Sequence, residues 1–469
     1  MSDDLPETRF GEISTKKIVG FSLQAPVTTL LFMMWGNLQF YATSVLFIPQ
    51  VMVTLIFLIY SLVDAFNDPI IGYFTDRSKK FTARFGKRFL WILLGGLIGP
   101  IFLILSFVQI ADISSVVTNA IWLIIMMVVY ESFLTFLEIS HVSLYPDLFR
   151  DDSSRRKASA YGAMIGGLVT IIFSFISPIL LGLFGGALNQ PAYLIRTIIF
   201  VVIAYLIFIP YIRSIRESKE RKEFRAELDR EGRNSSPFKE ILKRMFKDKI
   251  WVGLIFSFLL WGIAGACMLY GMNYFLIYYL DLPIEYGALP SLGYAALTII
   301  FTPIWIKSAK KIGIRKTYLI SLTLHSFIYV MFFFVTSFTG LLLVTSIAGI
   351  PTAANFGVIA TLARAEAIDN TVVNTNKREE GSYLGILRVF TAFTYFFQVA
   401  IFGIVGAITG FNASVIPATD LVVKQGLNLQ MSLIPLVLNI LATLIIYFTY
   451  KITKEQALTN KNRLKEMGL

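Results

Sequence analysis

The sequence has 469 residues, of which 56% are hydrophobic and only 15% are charged, whereas about a quarter of the residues of a soluble domain carry charge. One cysteine and two histidines exclude an internal disulfide and argue against a cysteine- or histidine-based metal site. Apolar runs of about twenty residues recur from end to end, the length that a helix needs to cross about 30 Å of hydrocarbon. Composition therefore predicts a polytopic α-helical membrane protein.

Twelve segments have the length and apolarity of membrane-spanning helices. These segments, numbered spans 1 to 12, cover residues 18–43, 48–76, 88–110, 117–147, 158–186, 193–214, 249–279, 284–306, 314–336, 339–366, 380–409 and 428–451. They predict a six-helix half at 1–214, a charged connecting loop at 215–248, a second half at 249–451 and a tail at 452–469. Two six-helix halves are the architecture of major facilitator transporters, whose substrate binds between the halves near the midplane. We therefore expect an all-α membrane protein with the major facilitator fold.

The net charge of +12 raises the question of a nucleic-acid partner. Apart from Arg196, Arg388 and Lys424, the basic residues lie in or next to the termini and the connections from even-numbered to odd-numbered spans. The positive-inside rule then places both termini in the cytoplasm of a multi-pass protein of the cell membrane. The basicity indicates topology, and no nucleic-acid partner is predicted.

Span 2 carries three polar residues where a membrane helix should still be in hydrocarbon. Asp64, Asn67 and Asp68 follow about fifteen almost wholly apolar residues and share one helix face, since they are spaced at i, i+3 and i+4. A charge at that depth costs a few kcal/mol or more and is usually paired, turned to a cavity or functional. These three residues are the first candidates for a binding site.

Charged residues of other spans fall at the same depth. Asp68 and Asp64 lie eight and twelve residues before Asp76, and counting the helical rise from the predicted cytoplasmic ends puts Glu138 of span 4 and Arg388 of span 11 at a similar level. Three acids and one base leave net negative charge, which a bound cation would relieve. Oxygen ligands suit Na⁺, and a crowded buried carboxylate can equally hold a proton. A purely structural charge network is the remaining alternative.

Further residues complete the predicted site and gate. Glu131 lies two turns from Glu138 and is either a pathway residue or a partner of nearby hydroxyls. His141, one turn beyond Glu138, could relay protons or pack at the cavity edge. Span 1 supplies polar and aromatic side chains able to line a cavity, namely Gln24, Trp35 and Asn37. Charged residues at the end of span 2 and after it are expected to form a cytoplasmic gate, namely Asp76, Arg77, Arg84 and Arg88.

Three segments resemble the glycoside–pentoside–hexuronide:cation symporters, the melibiose-permease-like branch of the major facilitators. They are the span 2 motif Asp64-x-x-Asn67-Asp68-Pro69-x-x-Gly72-x-x-x-Asp76-Arg77, the span 4 segment Glu138-Ile139-Ser140-His141-Val142-Ser143-Leu144-Tyr145-Pro146, and the start of span 11, Arg378-Glu379-Glu380-Gly381-Ser382-Tyr383-Leu384-Gly385. The resemblance implies a cation site made of Asp64, Asn67, Asp68 and Glu138, with Glu138 also near the substrate.

The sequence departs from that family at its sugar-binding positions. The family's acid of span 1 and arginine of span 5 would fall near Val27 and Ala163, which carry no charge, and the family's span 11 lysine would fall about one turn beyond Arg388. Arg388 is a candidate substitute in substrate binding. The usual galactoside recognition is therefore not implied, although cation coupling is.

The resulting prediction is a monomeric secondary transporter that moves a sugar or glycoside together with Na⁺ or H⁺, with lipid around it and no cofactor beyond the coupling ion. The alternative is a cation-coupled carrier of a lysolipid or another amphipathic solute, since the same branch includes sodium-dependent lysophospholipid carriers. An enzyme is not expected, because two scattered histidines and one cysteine supply neither a nucleophile–base pair nor a metal cluster.

Overall fold

The computed structural model describes residues 14–77, 88–149, 152–216, 238–375 and 379–466, and these residues form helices joined by short connections without any strand. The helices are Thr15–Ser22, Gln24–Trp35, Leu38–Phe40 and the π-helical Tyr41–Val45 in span 1; Gln50–Arg77 in span 2; Phe89–Ser106 in span 3; Val116–Leu148 in span 4; Asp152–Leu183 in span 5; and Gln190–Ser214 in span 6. A linker helix, Phe238–Lys247, precedes the second half.

The second half has more interrupted helices. They are Lys249–Tyr274 and the π-helical Phe275–Tyr279 in span 7; the 3₁₀ turn Ile284–Gly287 and Ala288–Ile312 in span 8; Ile314–Phe333 in span 9; Phe338–Ala354, the π-helical Asn355–Ile359 and Ala360–Thr375 in span 10; Glu380–Ala392 and Thr394–Thr409 in span 11; and Leu421–Met431 and Leu433–Thr449 in span 12. A tail helix, Lys454–Glu466, ends the described chain.

Eleven of the twelve predicted spans are long and apolar enough to cross a membrane within the described ranges. The other one, span 10, begins with the shorter apolar helix Phe338–Ala354 and continues through its π-helical turn into Ala360–Thr375. Span 10 therefore reaches about nine residues beyond its predicted end at 366. The predicted connecting loop 215–248 also contains a regular element, the linker helix.

The first two spans of each half repeat the same backbone at a constant separation of 234 residues (41 to 275, 47 to 281). A π-helical turn starts at Tyr41 and again at Phe275, and a residue with positive φ follows each turn, Phe47 at 51° and Asp281 at 56°. The same separation aligns Asp64 and Asp68 with Thr298 and Thr302 and Pro69 with Pro303. The repeat thus keeps the helix geometry of span 2 in span 8 but not its carboxylates.

The two halves meet at the end of the bundle that carries the π-helical turns of spans 1 and 7, here called the far end. Thr43 Oγ1 lies 2.5 Å from Tyr274 OH, and Asn273 Nδ2 donates to Asn37 Oδ1 at 3.2 Å. Span 2 packs against span 11 and span 5 packs against span 8. A Cβ on Gly403 of span 11 would lie 2.7 Å from Thr54 Oγ1, so glycine permits the close approach of spans 2 and 11.

The opposite end of the bundle carries the start of span 1, the end of span 6 and the tail helix, and is here called the terminal end. Lys17 Nζ donates to the Arg216 carbonyl at 3.4 Å, and Lys454 Nζ donates to the Lys311 carbonyl at 3.3 Å. The linker helix is joined to the start of span 11 by the ion pair of Arg244 and Glu379, at 2.6 Å. These contacts lie within one half or between the linker and one half.

Candidate functional site

Span 2 presents its polar residues to the interior of the bundle. The helix Gln50–Arg77 is continuous through this region, and Asp64 and Asn67 are 6% and 9% exposed. The Asp68 side chain is more open, at 27%. The i, i+3, i+4 spacing therefore places all three side chains on the inner face of the helix, as the sequence predicted for that face.

Arg388 reaches from the second half to both aspartates of the first. Its Nη2 lies 3.8 Å from Asp64 Oδ1 and its Nε lies 3.5 Å from Asp68 Oδ2. A direct charged hydrogen bond measures about 2.7–2.9 Å, so these are looser ion pairs. Because the Arg388 side chain is 52% exposed, the guanidinium can move away without breaking a tight hydrogen bond.

Span 4 supplies the opposite wall of the site. Tyr60 OH donates to Glu131 Oε2 at 2.6 Å. Asn67 Nδ2 donates to Thr135 Oγ1 at 3.3 Å, one turn along the same face of span 4. These contacts join spans 2 and 4 at two successive levels.

Glu138 belongs to the same electrostatic group. Its carboxyl is acted on by the charges of Arg388, Asp68 and Asp64. Counting the helical rise along separate spans thus grouped Glu138 with Asp64, Asp68 and Arg388, and the structure places these residues in one group as well. The group combines carboxylate, amide and hydroxyl oxygens, which are the ligands that hard cations prefer.

The described residues offer amide and hydroxyl oxygens beside the carboxylates. No cluster of three or more His, Cys, Asp or Glu able to hold a metal ion occurs in the part of the chain that the structure describes. A Na⁺ ion bound beside Asp64 and Asp68 would therefore use the amide oxygen of Asn67 and the hydroxyl of Thr135 as well as carboxylates. The choice of Asp64, Asn67, Asp68 and Glu138 as ligands stays a prediction.

An aromatic cluster lies next to the acids, on the side of the far end. The Trp35 ring centroid is 4.6 Å from that of Tyr395 and 5.1 Å from that of Tyr60, and Tyr270 of span 7 contacts both Trp35 and Tyr395. Trp35 is 3% exposed, and its indole Nε1 has no hydrogen-bond partner among the described residues. The cluster joins spans 1, 2, 7 and 11 around one unsatisfied buried donor.

The remaining predicted substrate residues lie apart from this group. Asn37 takes part in the far-end contact with Asn273, and Gln24 starts the helix Gln24–Trp35, about 16 Å along the axis from Trp35. His141 stacks on Phe21 with ring centroids 4.2 Å apart, and its Nδ1 lies 2.9 Å from Tyr211 OH.

The contacts of His141 hold its ring among spans 1, 4 and 6 of the first half. Two roles were considered for His141, a proton relay and packing at the cavity edge, and its position agrees with packing. A proton relay from Glu138 would need the ring to turn away from the partners that it has on spans 1 and 6.

Only one of the four predicted gate residues has a described side chain. Arg88 is 8% exposed, and its Nη1 donates to Thr75 Oγ1 at 2.9 Å, joining the start of span 3 to the last turns of span 2. Asp76 and Arg77 end the span 2 helix, but their side chains and the whole of Arg84 lie outside the described residues. The gate stays a prediction.

Sequence reasoning missed several residues of the site. Tyr60 and Thr135 carry no charge, so depth counting did not select them, although Tyr60 lies one turn before Asp64 and Thr135 one turn before Glu138. Tyr395 was one aromatic residue among many. Arg364 was attributed to topology because it stands near a predicted span end, whereas the structure places it inside the helix Ala360–Thr375.

Comparison with known proteins identifies the family. A family model described as MFS/sugar transport protein matches residues 22–454, which is most of the chain. The chain belongs to this family. The resemblance to the melibiose-permease-like symporters is thereby confirmed, and so is the prediction of a transporter rather than an enzyme, because the family consists of transporters.

Two curated relatives agree with this assignment. The raffinose carrier protein of Pediococcus pentosaceus is 31% identical over 123 residues, which are 25% of this chain and 18% of the carrier. The isoprimeverose transporter of Lactiplantibacillus pentosus is 26% identical over 294 residues, which are 61% of this chain and 57% of the transporter. The chain thus matches less than two thirds of the length of either relative.

Solved structures confirm the fold. The nucleoside transporter NupG has a TM-score of 0.62 at 13% identity, with 94% of this chain and 100% of NupG covered. A D-xylose-proton symporter also has a TM-score of 0.62 at 13% identity, with 93% and 96% covered. At such low identity the likeness shows the fold alone, and the fold is that of the major facilitators.

Proposed function

We propose that the protein is a secondary transporter that couples the movement of a sugar or glycoside to that of Na⁺ or H⁺ by alternating access. The observation that carries the proposal is the contact of Arg388 with Asp64 and Asp68. A base of one half neutralises acids of the other at a place where the halves must separate. A coupling cation at the same acids would replace Arg388.

Coupling then follows from exchange of charges at one site. When a cation binds beside Asp64 and Asp68, the guanidinium of Arg388 is released and becomes free to bind an oxygen of the substrate. Both ligands therefore favour the same arrangement of the halves. Symport is the consequence of this differential affinity, since a ligand shifts a conformational equilibrium only by as much as it prefers one state.

Two observations support a carbohydrate as the substrate. The proteins that this chain matches are named as carriers of raffinose and isoprimeverose. The aromatic cluster around Trp35 lies beside Glu131, whose carboxyl accepts a hydrogen bond from Tyr60 OH, and such a pairing suits a sugar, whose C–H faces pack on aromatic rings while its hydroxyls bind carboxylates.

The proposed setting is the cell membrane, with both termini in the cytoplasm and one chain as the working unit. The distribution of Lys and Arg supports this orientation, because the basic residues concentrate at the terminal end. In that orientation the far end, where the halves are in contact, is the outer side. The conformation described here is then closed to the outside.

Uptake by membrane vesicles tests the function. Wild-type vesicles should accumulate isoprimeverose or raffinose when a Na⁺ or pH gradient is imposed, and which gradient drives uptake names the ion. Asp68→Asn should abolish accumulation and leave exchange of the sugar, since one carboxylate of the cation site is lost while the substrate site remains. Full accumulation by Asp68→Asn would contradict the cation site. Competition by lysolipids with no effect of sugars would favour the amphipathic-solute alternative.

A further inference from the structure

Arg364 is a charged side chain of the second half with no charged partner of opposite sign. It lies in the last helix of span 10, and among the described residues no carboxylate is within 4.0 Å of its guanidinium, whereas Arg244 and Arg388 have such partners. Its Nε atom is buried and makes no hydrogen bond within the described part of the chain. A charge inside a membrane helix is expensive unless it is paired or turned to a water-filled cavity, and it usually marks a functional position.

The neighbours of Arg364 hold it in place without neutralising it. The guanidinium carbon lies 5.3 Å from the ring centroid of Phe258, a distance at which the ring face attracts the cation. Tyr318 and Arg388 are the titratable groups that act on it, and Tyr318 OH is engaged with Ser257 Oγ at 3.0 Å. Phe258 and Tyr318 thus fix the orientation of a positive charge that remains available.

The position of Arg364 relative to Arg388 connects it to the transport site. The two guanidiniums repel each other, and Arg388 is drawn across to Asp64 and Asp68. The first half therefore carries acids, and the second half carries two bases that lie within electrostatic range of each other. Arg388 is engaged with the acids, whereas Arg364 has no carboxylate within 4.0 Å among the described residues.

We propose that Arg364 is a substrate-binding residue of the second half that takes a pair of oxygen atoms of the transported sugar. This inference rests on the proposed function and names a contact within it. Guanidinium presents parallel N–H donors that fit either two neighbouring hydroxyls or one carboxylate. In a neutral glycoside the two oxygen atoms belong to neighbouring hydroxyls, and in a sugar acid they belong to its carboxylate. Because Arg364 belongs to the second half and Glu131 and Glu138 to the first, a bound sugar joins both halves.

Uptake kinetics with Arg364→Gln and Arg364→Lys test the inference, with isoprimeverose, raffinose and glucuronate as probes. Loss of a charge-assisted pair of hydrogen bonds should raise the apparent KM about tenfold or more, with the maximal rate within about twofold. Lys should restore part of the affinity, since ammonium keeps the charge but not the paired donors. A loss confined to glucuronate assigns the oxygen pair to a carboxylate, and an equal loss for all transported probes assigns it to hydroxyls.

Arg315→Gln is the matched control. Arg315 is another arginine of the second half with an aromatic neighbour, and its Nη2 donates to the Tyr447 carbonyl at 2.9 Å, away from the site. Its loss should leave KM unchanged. If Arg364→Gln does not reach the membrane, the rise of KM in Arg364→Lys carries the test.

Three outcomes would overturn the inference. An unchanged KM in Arg364→Gln, with normal uptake by the wild type, removes Arg364 from the substrate site and leaves the proposed function intact. A lower maximal rate with unchanged KM assigns the residue to the movement of the halves. Wild-type vesicles that take up none of the three probes under either gradient overturn the proposed function, and the inference with it.

Discussion

Arg388 pairs with Asp64 and Asp68 at distances that leave room for a competing cation. The ion pairs measure 3.8 and 3.5 Å, and half of the Arg388 side chain is exposed. Half-exposed ion pairs contribute up to about 1 kcal/mol. In the proposed mechanism, Arg388 is therefore a weak internal competitor of the coupling cation for Asp64 and Asp68.

Removing that competitor should strengthen cation binding. Arg388→Gln is expected to bind the coupling ion about fivefold more tightly, which corresponds to the roughly 1 kcal/mol of a half-exposed pair. Ion-dependent thermal shift of the purified protein measures the change. Arg388→Lys keeps the competing charge and should stay close to the wild type. Weaker ion binding by Arg388→Gln would mean that the guanidinium supports the site instead of competing for it.

The charged members of the site were predictable because helices have a regular rise. Counting residues from span ends placed Asp64, Asp68, Glu138 and Arg388 at one depth, and the contacts of the structure agree. The count considered charged residues, so it did not select the uncharged Thr135. Depth alone also does not say which way a side chain points.

His141 shows the limit of depth counting. It lies one turn from Glu138 in sequence, yet it stacks on Phe21 and contacts Tyr211 within the first half. The rotation of a helix about its axis determines which way a side chain points, and the packing of neighbouring helices sets that rotation.

At the scale of elements, the π-helical turns are the feature that the sequence pattern did not predict. A π turn inserts an extra residue into a helix, so the residues on either side no longer follow one regular face. In span 10 the turn Asn355–Ile359 separates the apolar helix Phe338–Ala354 from the helix that carries Arg364. The predicted span ended at residue 366, whereas the helix that carries Arg364 continues to Thr375.

Spans 2 and 11 depend on one glycine for their close approach at the far end. A side chain at Gly403 would collide with Thr54, whose Oγ1 lies 2.7 Å from the position of an added Cβ. Gly403→Val should therefore hold the halves apart at the far end and disfavour the conformation described here.

Accessibility of the far end measures this effect. In Gly403→Val, a membrane-impermeant thiol reagent added from outside should label a cysteine introduced at Asn37 faster than it labels the same cysteine in the parent protein. Gly385→Val is the control, because Gly385 lies on the same span with open space around it. Equal labelling of the Gly403 and Gly385 variants would show that this contact does not limit opening.

At the scale of the whole molecule, the described contacts between halves concentrate at the far end and at Arg388. Spans 1 and 7 meet through Tyr274 and Asn273, at the π-helical turns that the repeat places in both halves. Spans 2 and 11 take part in both contact regions, since span 2 carries Thr54 at the far end and the two aspartates near the middle, and span 11 carries Gly403 and Arg388 opposite them. Rocking of the halves thus requires span 2 to exchange its neighbours on span 11.

A disulfide between spans 2 and 11 should arrest transport. In a Thr54→Cys/Gly403→Cys variant the two Cβ atoms would lie about 4 Å apart, given the position of an added Cβ at Gly403, and that is the spacing of a disulfide. Replacing the buried Cys267 by alanine leaves the introduced pair as the thiols of the chain. Oxidation should stop vesicle uptake, and reduction should restore it.

A sugar-binding assay distinguishes a cross-linked carrier that is arrested in one conformation from one that the cross-link has damaged. The oxidised variant should still bind the sugar in a thermal-shift assay, because the cross-link joins spans 2 and 11 at the far end, where they are already in contact, and leaves the proposed sugar site unchanged. Each single-cysteine variant should transport equally under oxidising and reducing conditions. Transport that continues at full rate after complete cross-linking would contradict alternating access by movement of span 2 against span 11, since the bond fixes those two helices together.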